Sequence, residues 1–316
     1  MRILITGIHG FVGTNLVKAF KGHHRIYGLD ILAPYTEGVE HTYSWQDLDA
    51  GAVPEVDTMI HLAGKAHDTK DESDADEYFE VNTGLTRRIY DYFLISGAGK
   101  FIFFSSVKAA AEIVRCGALD ENVVPDPKGP YGESKILAED YIRAHWDAPR
   151  KKTYIFRPCM IHGPGNKGNL NQLYSVILRR VPWPLGAFDN KRSFTSIENL
   201  IFIIRRMLEV DAGTGVYNIA DDTPLSTNRL ITLICEALGQ KPRIWNIPCG
   251  IIRAVARCGT VLHLPLDSGC LRKLTENYVV ENAKIKAAIG VERLPVSAEE
   301  GILYTIKSFA DSFDGK

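Results

Sequence analysis

The sequence predicts an α/β fold, a doubly wound parallel sheet with a smaller, interleaved C-terminal α/β part. Three observations carry this: short β-rich runs alternate with helical patterns through the first half, those runs are continuously apolar, and the texture changes to Gly-, Pro- and Asn-rich loops beyond residue 160. A strand buried on both faces has no polar side to show, so unbroken apolar runs point to a parallel sheet covered on both sides. In order, the strand-like runs are Arg2–Thr6, Ile26–Leu29, Thr58–Leu62, Phe101–Phe104 and Thr153–Phe156. Helical patterns fill the gaps at Gly13–Phe20, Ala75–Ile95 and Tyr131–His145. Such a βαβ rhythm requires right-handed crossovers with helices on both faces. In the second half, loops at His162–Asn171 and Pro182–Asp189 and a polar turn at Ala220–Ser226 precede two Pro-bounded helical stretches. A strand near Gly215–Ile219 is expected to return to the main sheet.

The chain has 316 residues, 45% hydrophobic and 24% charged, with a formal net charge of −1. That balance suits a globular chain with a sizeable core, and nothing global attracts nucleic acid or an anionic membrane. Six cysteines at 116, 159, 235, 249, 258 and 270 show no C-x-x-C pair, so reduced thiols in a cytoplasmic protein are expected, with no metal site. Met1-Arg2 runs straight into Ile3-Leu4-Ile5, too short for a signal-peptide core. The apolar stretch Ile251–Leu264 contains Arg253, Arg257 and His263 and is too short to span a bilayer. It reads as an amphipathic helix pair packed in the fold, with a lid or a membrane-surface contact as the alternative, and no stable membrane insertion is expected.

Thr6-Gly7-Ile8-His9-Gly10-Phe11-Val12-Gly13 follows the first strand and opens the first helix. Gly7 permits a tight turn, Gly10 lets the backbone approach a pyrophosphate, and Gly13 lets the helix pack closely. A pyrophosphate then meets free N–H groups at a helix N-terminus. The second strand ends in Leu29-Asp30, and an acidic residue there accepts the ribose hydroxyls of NAD while repelling the extra phosphate of NADP. NAD is therefore the expected cofactor, in a Rossmann-type sheet. Residues 1–160, with a returning segment near 192–220, are expected to hold NAD, and 161–316 mainly the substrate.

Tyr131 and Lys135 are four apart at the start of a helical run, so they share one face. A phenol is a poor base at neutral pH, and a neighbouring ammonium with the positive ring of oxidised cofactor favours its phenolate. Y-x-x-x-K gains meaning when a hydroxyl ends an earlier strand, as Ser105-Ser106 does after Phe101–Phe104. Ser106 is the preferred hydroxyl for orienting a substrate oxygen, with Ser105 in reserve.

These motifs resemble the extended short-chain dehydrogenase/reductase family, specifically its nucleotide-sugar epimerases, dehydratases and reductases, over nearly the whole chain. The resemblance implies further roles. Asp47-Leu48 is similar to the adenine contact, His61-Leu62-Ala63-Gly64 to the strand bordering the cofactor, and Val81-Asn82 to the helix position whose Asn braces the sheet. Arg157-Pro158 with His162-Gly163-Pro164-Gly165 resembles the segment beside the nicotinamide. Gly168-Asn169-Leu170 resembles the sugar-nucleotide loop, and Arg192 the arginine that clamps its diphosphate, a role a guanidinium fork suits.

Departures from the family pattern are informative. Ser106-Val107-Lys108-Ala109-Ala110-Ala111 lacks the aromatic and glycine of S-x-x-V-Y-G, and places Lys108 as a candidate contact to the sugar or its phosphates. Val107-Lys108 stands where dehydratases carry Asp-Glu, which argues against elimination of water. His162 replaces a tyrosine and is given no catalytic role; Lys65, His67 and Asp68 are secondary candidates near cofactor and sugar. The resemblance implies C4 oxidoreduction of a nucleotide sugar, foremost as a UDP-hexose or UDP-N-acetylhexosamine 4-epimerase. One-way reduction of a UDP-4-keto-6-deoxy-hexosamine in polysaccharide biosynthesis is the alternative, and a non-catalytic NAD-binding regulator the more distant one. It also implies a homodimer through paired helices, where Tyr90, Tyr92, Phe93, Ile136, Tyr141 and Ile142 suit either apolar contacts to the partner or, equally, packing in the chain's own core.

Overall fold

A computed structural model describes residues 1–65, 75–114, 117–166, 168–262 and 268–314. Among these, β1 (Arg2–Thr6), β2 (Arg25–Leu29), β3 (Val39–Tyr43), β4 (Thr58–His61), β5 (Lys100–Phe104), β6 (Lys152–Pro158) and β9 (Gly215–Ile219) form one sheet. Its order is β3-β2-β1-β4-β5-β6-β9, and every pairing is parallel. The chain winds outward from β1 to β3, then resumes on the other side of β1 at β4. That reversal opens a crevice at the carboxyl ends of β1 and β4, where doubly wound sheets bind ligands. A second, two-stranded parallel sheet pairs β7 (Met160–His162) with β8 (Phe194–Ser196).

Helices cover both faces. On one side α1 (Phe11–Phe20), α8 (Ile197–Glu209) and α12 (Ala283–Ile289) bury Leu16, Phe20, Leu200, Ile204 and Ile285 against Ile3, Ile5 and Tyr154 of the sheet. On the other, α2 (Trp45–Asp49), α4 (Leu85–Ile95) and α6 (Gly129–His145) bury Leu48, Tyr90, Phe93 and Ile142 against Leu4, Phe101 and Ile155. Alternate residues of one strand thus feed two cores, which is why the strands read as unbroken apolar runs. A third core joins α7 (Asn169–Leu178), α9 (Thr227–Ala237), α10 (Cys249–Leu262), α11 (Ser268–Thr275) and α13 (Ala298–Asp314).

The five expected strands and the return of Gly215–Ile219 beside β6 are present. Two expectations need correction, and one open choice is decided. Residues Ala75–Ile95 are not one regular helix: α3 (Ala75–Tyr78) passes through a π-helical stretch, Phe79–Gly84, into α4. Within the described part of Ile251–Leu264 there is one helix, α10, rather than a pair. Tyr90, Phe93 and Ile142 are fully buried in the chain's own core, so they are not available to a partner. The edge strand β3 was not anticipated, because Val-Glu-His-Thr-Tyr buries none of its residues and carries no apolar run.

Candidate active site

The crevice begins at the turn after β1. Gly7 has φ +67°, and a Cβ there would lie 2.8 Å from the Ala63 backbone. Gly13 would place a Cβ 2.4 Å from the Ile8 carbonyl, so its need is tight packing of α1 on its own turn. Gly10 is the N-cap of α1 and supplies no side-chain acceptor, which leaves the first-turn amides of Phe11, Val12 and Gly13 directed at the crevice mouth. A pyrophosphate fits such a cradle, since it needs N–H donors and close backbone approach. Asn15 Nδ2 donates to the Pro164 carbonyl at 3.2 Å, tying the His162–Gly165 segment to α1. At the end of β2, Asp30 accepts from the amides of His9 at 3.2 Å and Ile31 at 2.7 Å, which fix its carboxylate beside the turn.

Asp47 has a local task in the fold. It forms a capping box with Ser44, whose amide and hydroxyl both donate to Asp47 Oδ2 at 2.8 Å. These bonds hold its carboxyl below the ordinary range. Leu48 is buried in the core beneath it.

After β4, Leu62-Ala63-Gly64 crosses the carboxyl edge. Ala63 N donates to Thr6 Oγ1 at 3.0 Å, and Thr6 Oγ1 is bonded in turn to His61 Nδ1 at 2.6 Å. His61 is fully buried, and desolvation, then the nearby Lys135 ammonium, push its pKa down to about 3. It is a neutral brace between Thr6 and Thr86, not a titrating group. Asn82, in the π-helical stretch, accepts from Lys65 N at 2.9 Å and donates to Lys65 O at 3.2 Å and Ser134 Oγ at 3.0 Å. It therefore locks the loop after β4 onto α6. Lys65 itself pairs with Glu77 and lies over the Tyr78 ring at 5.0 Å. His67 and Asp68 lie outside the described residues.

Ser106, Tyr131 and Lys135 come together at the end of β5. Ser106 caps α5 (Val107–Ala110) by accepting from Lys108 N, and its hydroxyl lies close enough to Tyr131 to favour the phenolate. Gly132 makes this approach feasible: a Cβ there would sit 2.7 Å from the Lys108 carbonyl. Burial raises the Tyr131 pKa, while the Ser106 hydroxyl pulls it back. One turn further on, Lys135 is 5% exposed, donates to the Phe104 carbonyl at 2.9 Å and sits over the Phe103 ring. Desolvation lowers its pKa to about 8, against a raising influence from Glu139. A Cβ on Gly64 would fall 3.1 Å from Lys135 Nζ, so the loop after β4 closes on the ammonium.

The two strand-end serines divide their work. Ser105 donates to Glu139 Oε1 at 2.5 Å, and Arg157 grips both oxygens of Glu139 at 2.8 and 2.6 Å. Sequence reasoning missed Glu139. Its signal was the polar series Tyr131, Lys135, Glu139 at i, i+4 and i+8 on a helix otherwise packed against the core. Pro158 ends β6 beside Ile219, next to this buried pair.

On the far wall, Lys108 Nζ pairs with Glu112 Oε1 at 3.0 Å over the Tyr278 ring. Arg192 lies beside the same tyrosine and Glu112, and burial lowers its pKa. Tyr278 and Glu112 were not anticipated, since nothing in their local sequence marks them. Asn169 opens α7, and the Leu170 side chain is 1% exposed in the third core, which leaves only its main chain for a ligand. His162 is fully buried, bonded through Nδ1 to Thr305 Oγ1 at 2.9 Å and edge-on to Phe194.

Among the described residues there is no cluster of side chains that would hold a metal ion, and no helix is long and apolar enough to cross a membrane. Residues 3–220 match the family described as NAD dependent epimerase/dehydratase, and the chain belongs to it. The UDP-glucose 4-epimerase of Vibrio cholerae is 30% identical over 329 residues, covering 97% of this chain and 95% of that protein. The N-acetyl-alpha-D-glucosaminyl-diphospho-ditrans,octacis-undecaprenol 4-epimerase of Escherichia coli O157:H7 is 30% identical over 292 residues, covering 90% and 84%. A solved UDP-glucuronic acid 4-epimerase from Bacillus cereus, in complex with UDP-glucuronic acid and NAD, shares the fold. Its TM-score is 0.76 at 19% identity, over 99% of this chain and 100% of that one.

Proposed function

We propose that this member of the NAD-dependent epimerase/dehydratase family binds NAD and inverts C4 of a UDP-hexose or UDP-N-acetylhexosamine. The observation that carries the reading is the gathering of Ser106, Tyr131 and Lys135 at the end of β5, with Ala63-Gly64 between Lys135 and the Gly7 turn. NAD, when bound, supplies the two-electron acceptor and donor for C4. The amides of Phe11 to Gly13 hold its pyrophosphate and Asp30 its adenosine ribose; Asp47 and Leu48 border the adenine. Leu62, Ala63, Gly64, Ser105 and Pro158 line the nicotinamide side.

Tyr131 takes the proton from the sugar 4-hydroxyl and returns it after the sugar has presented its other face. Ser106, beside Tyr131, orients the same oxygen. Lys135 favours the phenolate and has donors beyond its bond to Phe104 for the nicotinamide ribose. Arg192 and Lys108 hold the diphosphate and sugar, with the Asn169–Leu170 main chain at the nucleotide. On this reading residues 1–160 and 192–220 serve the cofactor and the remainder mainly the substrate. The protein acts in the cytoplasm as a homodimer.

The relatives' names support 4-epimerisation, on a uridine diphosphate or a polyprenyl diphosphate carrier. The test is NMR of UDP-glucose, UDP-galactose and their N-acetylhexosamine counterparts with no added cofactor. Inversion at C4 is expected, and Tyr131→Phe should lower it by about 10²- to 10⁴-fold while NAD binding stays intact. Stoichiometric NADH consumption with a 4-keto sugar, and no inversion, would overturn the epimerase reading.

A further inference from the structure

The third core leaves one helix face with no role in the site. Helix α10 turns Ile252 and Ala256 inward, at 5% and 1% exposure, and its outer side splits lengthwise into two strips. At 100° per residue, Ile251, Val255 and Cys258 form an apolar strip on one flank of the exposed face, and Arg253 and Arg257 a cationic one about 150° round on its other flank. Ile251 is 56% exposed and Val255 51%, and Trp245, in the loop before the helix, is 56% exposed. Burying such side chains releases ordered water, so a chain that displays Ile251 and Val255 one turn apart on an exposed helix favours a partner for that face.

The charge says which partner. Residues 241–273 hold Lys241, Arg243, Arg253, Arg257, Arg272 and Lys273 against the single carboxylate Asp267, in a chain whose formal net charge is only −1. Among the described residues Arg272 pairs with Glu276 at 3.6 Å, whereas no carboxylate pairs with Arg253 or Arg257. Arg253 instead lies over the Phe188 ring. A second copy docked through the same patch would bring this cationic surplus against itself. A nucleic-acid backbone would leave the apolar strip and Trp245 wet. An anionic bilayer suits both strips together: aliphatic side chains enter the acyl boundary, Trp sits at headgroup depth, and arginines meet lipid phosphates.

We infer that α10 and the preceding loop form a peripheral docking face for an anionic phospholipid surface. This rests on the patch alone and stands apart from the reading of the reaction. The helix lies in the plane of the interface, consistent with there being no spanning segment among the described residues. Each cation near such a surface is worth about fivefold in partitioning, and the attraction weakens as salt screens it.

The test is cosedimentation of the full-length protein with vesicles of phosphatidylcholine alone or of equal phosphatidylcholine and phosphatidylglycerol, at low and high salt. Binding is expected only to the anionic vesicles and should fall with salt. The double variant Arg253→Glu, Arg257→Glu should lose about two orders of magnitude in partitioning. A triple variant, Trp245→Ser, Ile251→Ser and Val255→Ser, should bind more weakly at high salt than the unaltered chain. Circular dichroism checks that both variants fold, and neither touches the Ser106–Tyr131–Lys135 site. Equal binding to neutral vesicles, no binding, or undiminished binding by the double variant would overturn the proposal. So would a change of molecular mass in the triple variant, which would assign the face to a second copy.

Discussion

Lys135 sits where its own charge is penalised. Its ordinary pKa of 10.5 falls to about 8 because burial strips the ammonium of water, leaving the Phe104 carbonyl and the aromatic face of Phe103 in exchange. The sign of the linkage follows. Between pH 8 and 10.5 the unfolded chain holds a proton that the folded chain has released, so stability rises with pH across that window. Below pH 8 the whole penalty is present, up to about 3 kcal/mol. We expect the wild type to gain stability from pH 8 to 10 in urea unfolding, and Lys135→Met to lack that added slope while losing turnover. Equal slopes in the two proteins would sink this account. The same low dielectric that weakens the ammonium makes it a potent neighbour for a phenolate at Tyr131, so the strain is placed where the chemistry uses it.

The site is assembled by the contact of two helix starts. Ser106 reaches Tyr131 because α5 and α6 meet backbone to side at Gly132, where no Cβ intervenes. Gly132→Ala would place a carbon 2.7 Å from the Lys108 carbonyl, and the two elements must part. Overpacking of this kind costs about 1–3 kcal/mol, and the hydroxyl pair separates with it. The expected outcome is a modest fall in Tm with a much larger fall in kcat; a variant with lower Tm and unchanged kcat would show that the close approach is structural only. The π-helical stretch is a second such device. It brings Asn82 in to clamp the Lys65 backbone, and an extra residue in one helical turn is invisible to a pattern read at a period of 3.6.

At the scale of the whole molecule, the reversal of strand order at β1 and β4 makes the crevice, and the two helical layers leave different outer surfaces. On the α4–α6 side Leu137 and Ile95 are exposed at 43% and 85%, while Tyr141 bonds Asp91 across the helix pair. An isologous dimer through this face would cover them. Light scattering should report a dimer at micromolar concentration and a monomer for Leu137→Glu; a monomeric wild type would refute it. The α10 face lies on the third core instead, so lipid docking and dimerisation make separable demands on the surface.

The sequence by itself determined the parallel sheet, the glycine turn, Asp30 and the Tyr131–Lys135 spacing. Each of these is local: a strand period, a turn that needs no Cβ, a helix repeat of four. Tertiary structure alone decided what lies between them. It gave Ser105 to Glu139 and Ser106 to Tyr131, although adjacent serines look alike in sequence. It also set Glu112 and Tyr278 beside Arg192, and turned Tyr90, Phe93 and Ile142 inward. Those outcomes depend on which face of a strand or helix meets which neighbour across long sequence separations. Opposite sides of one strand end are only a residue apart in the chain, yet they belong to different cores.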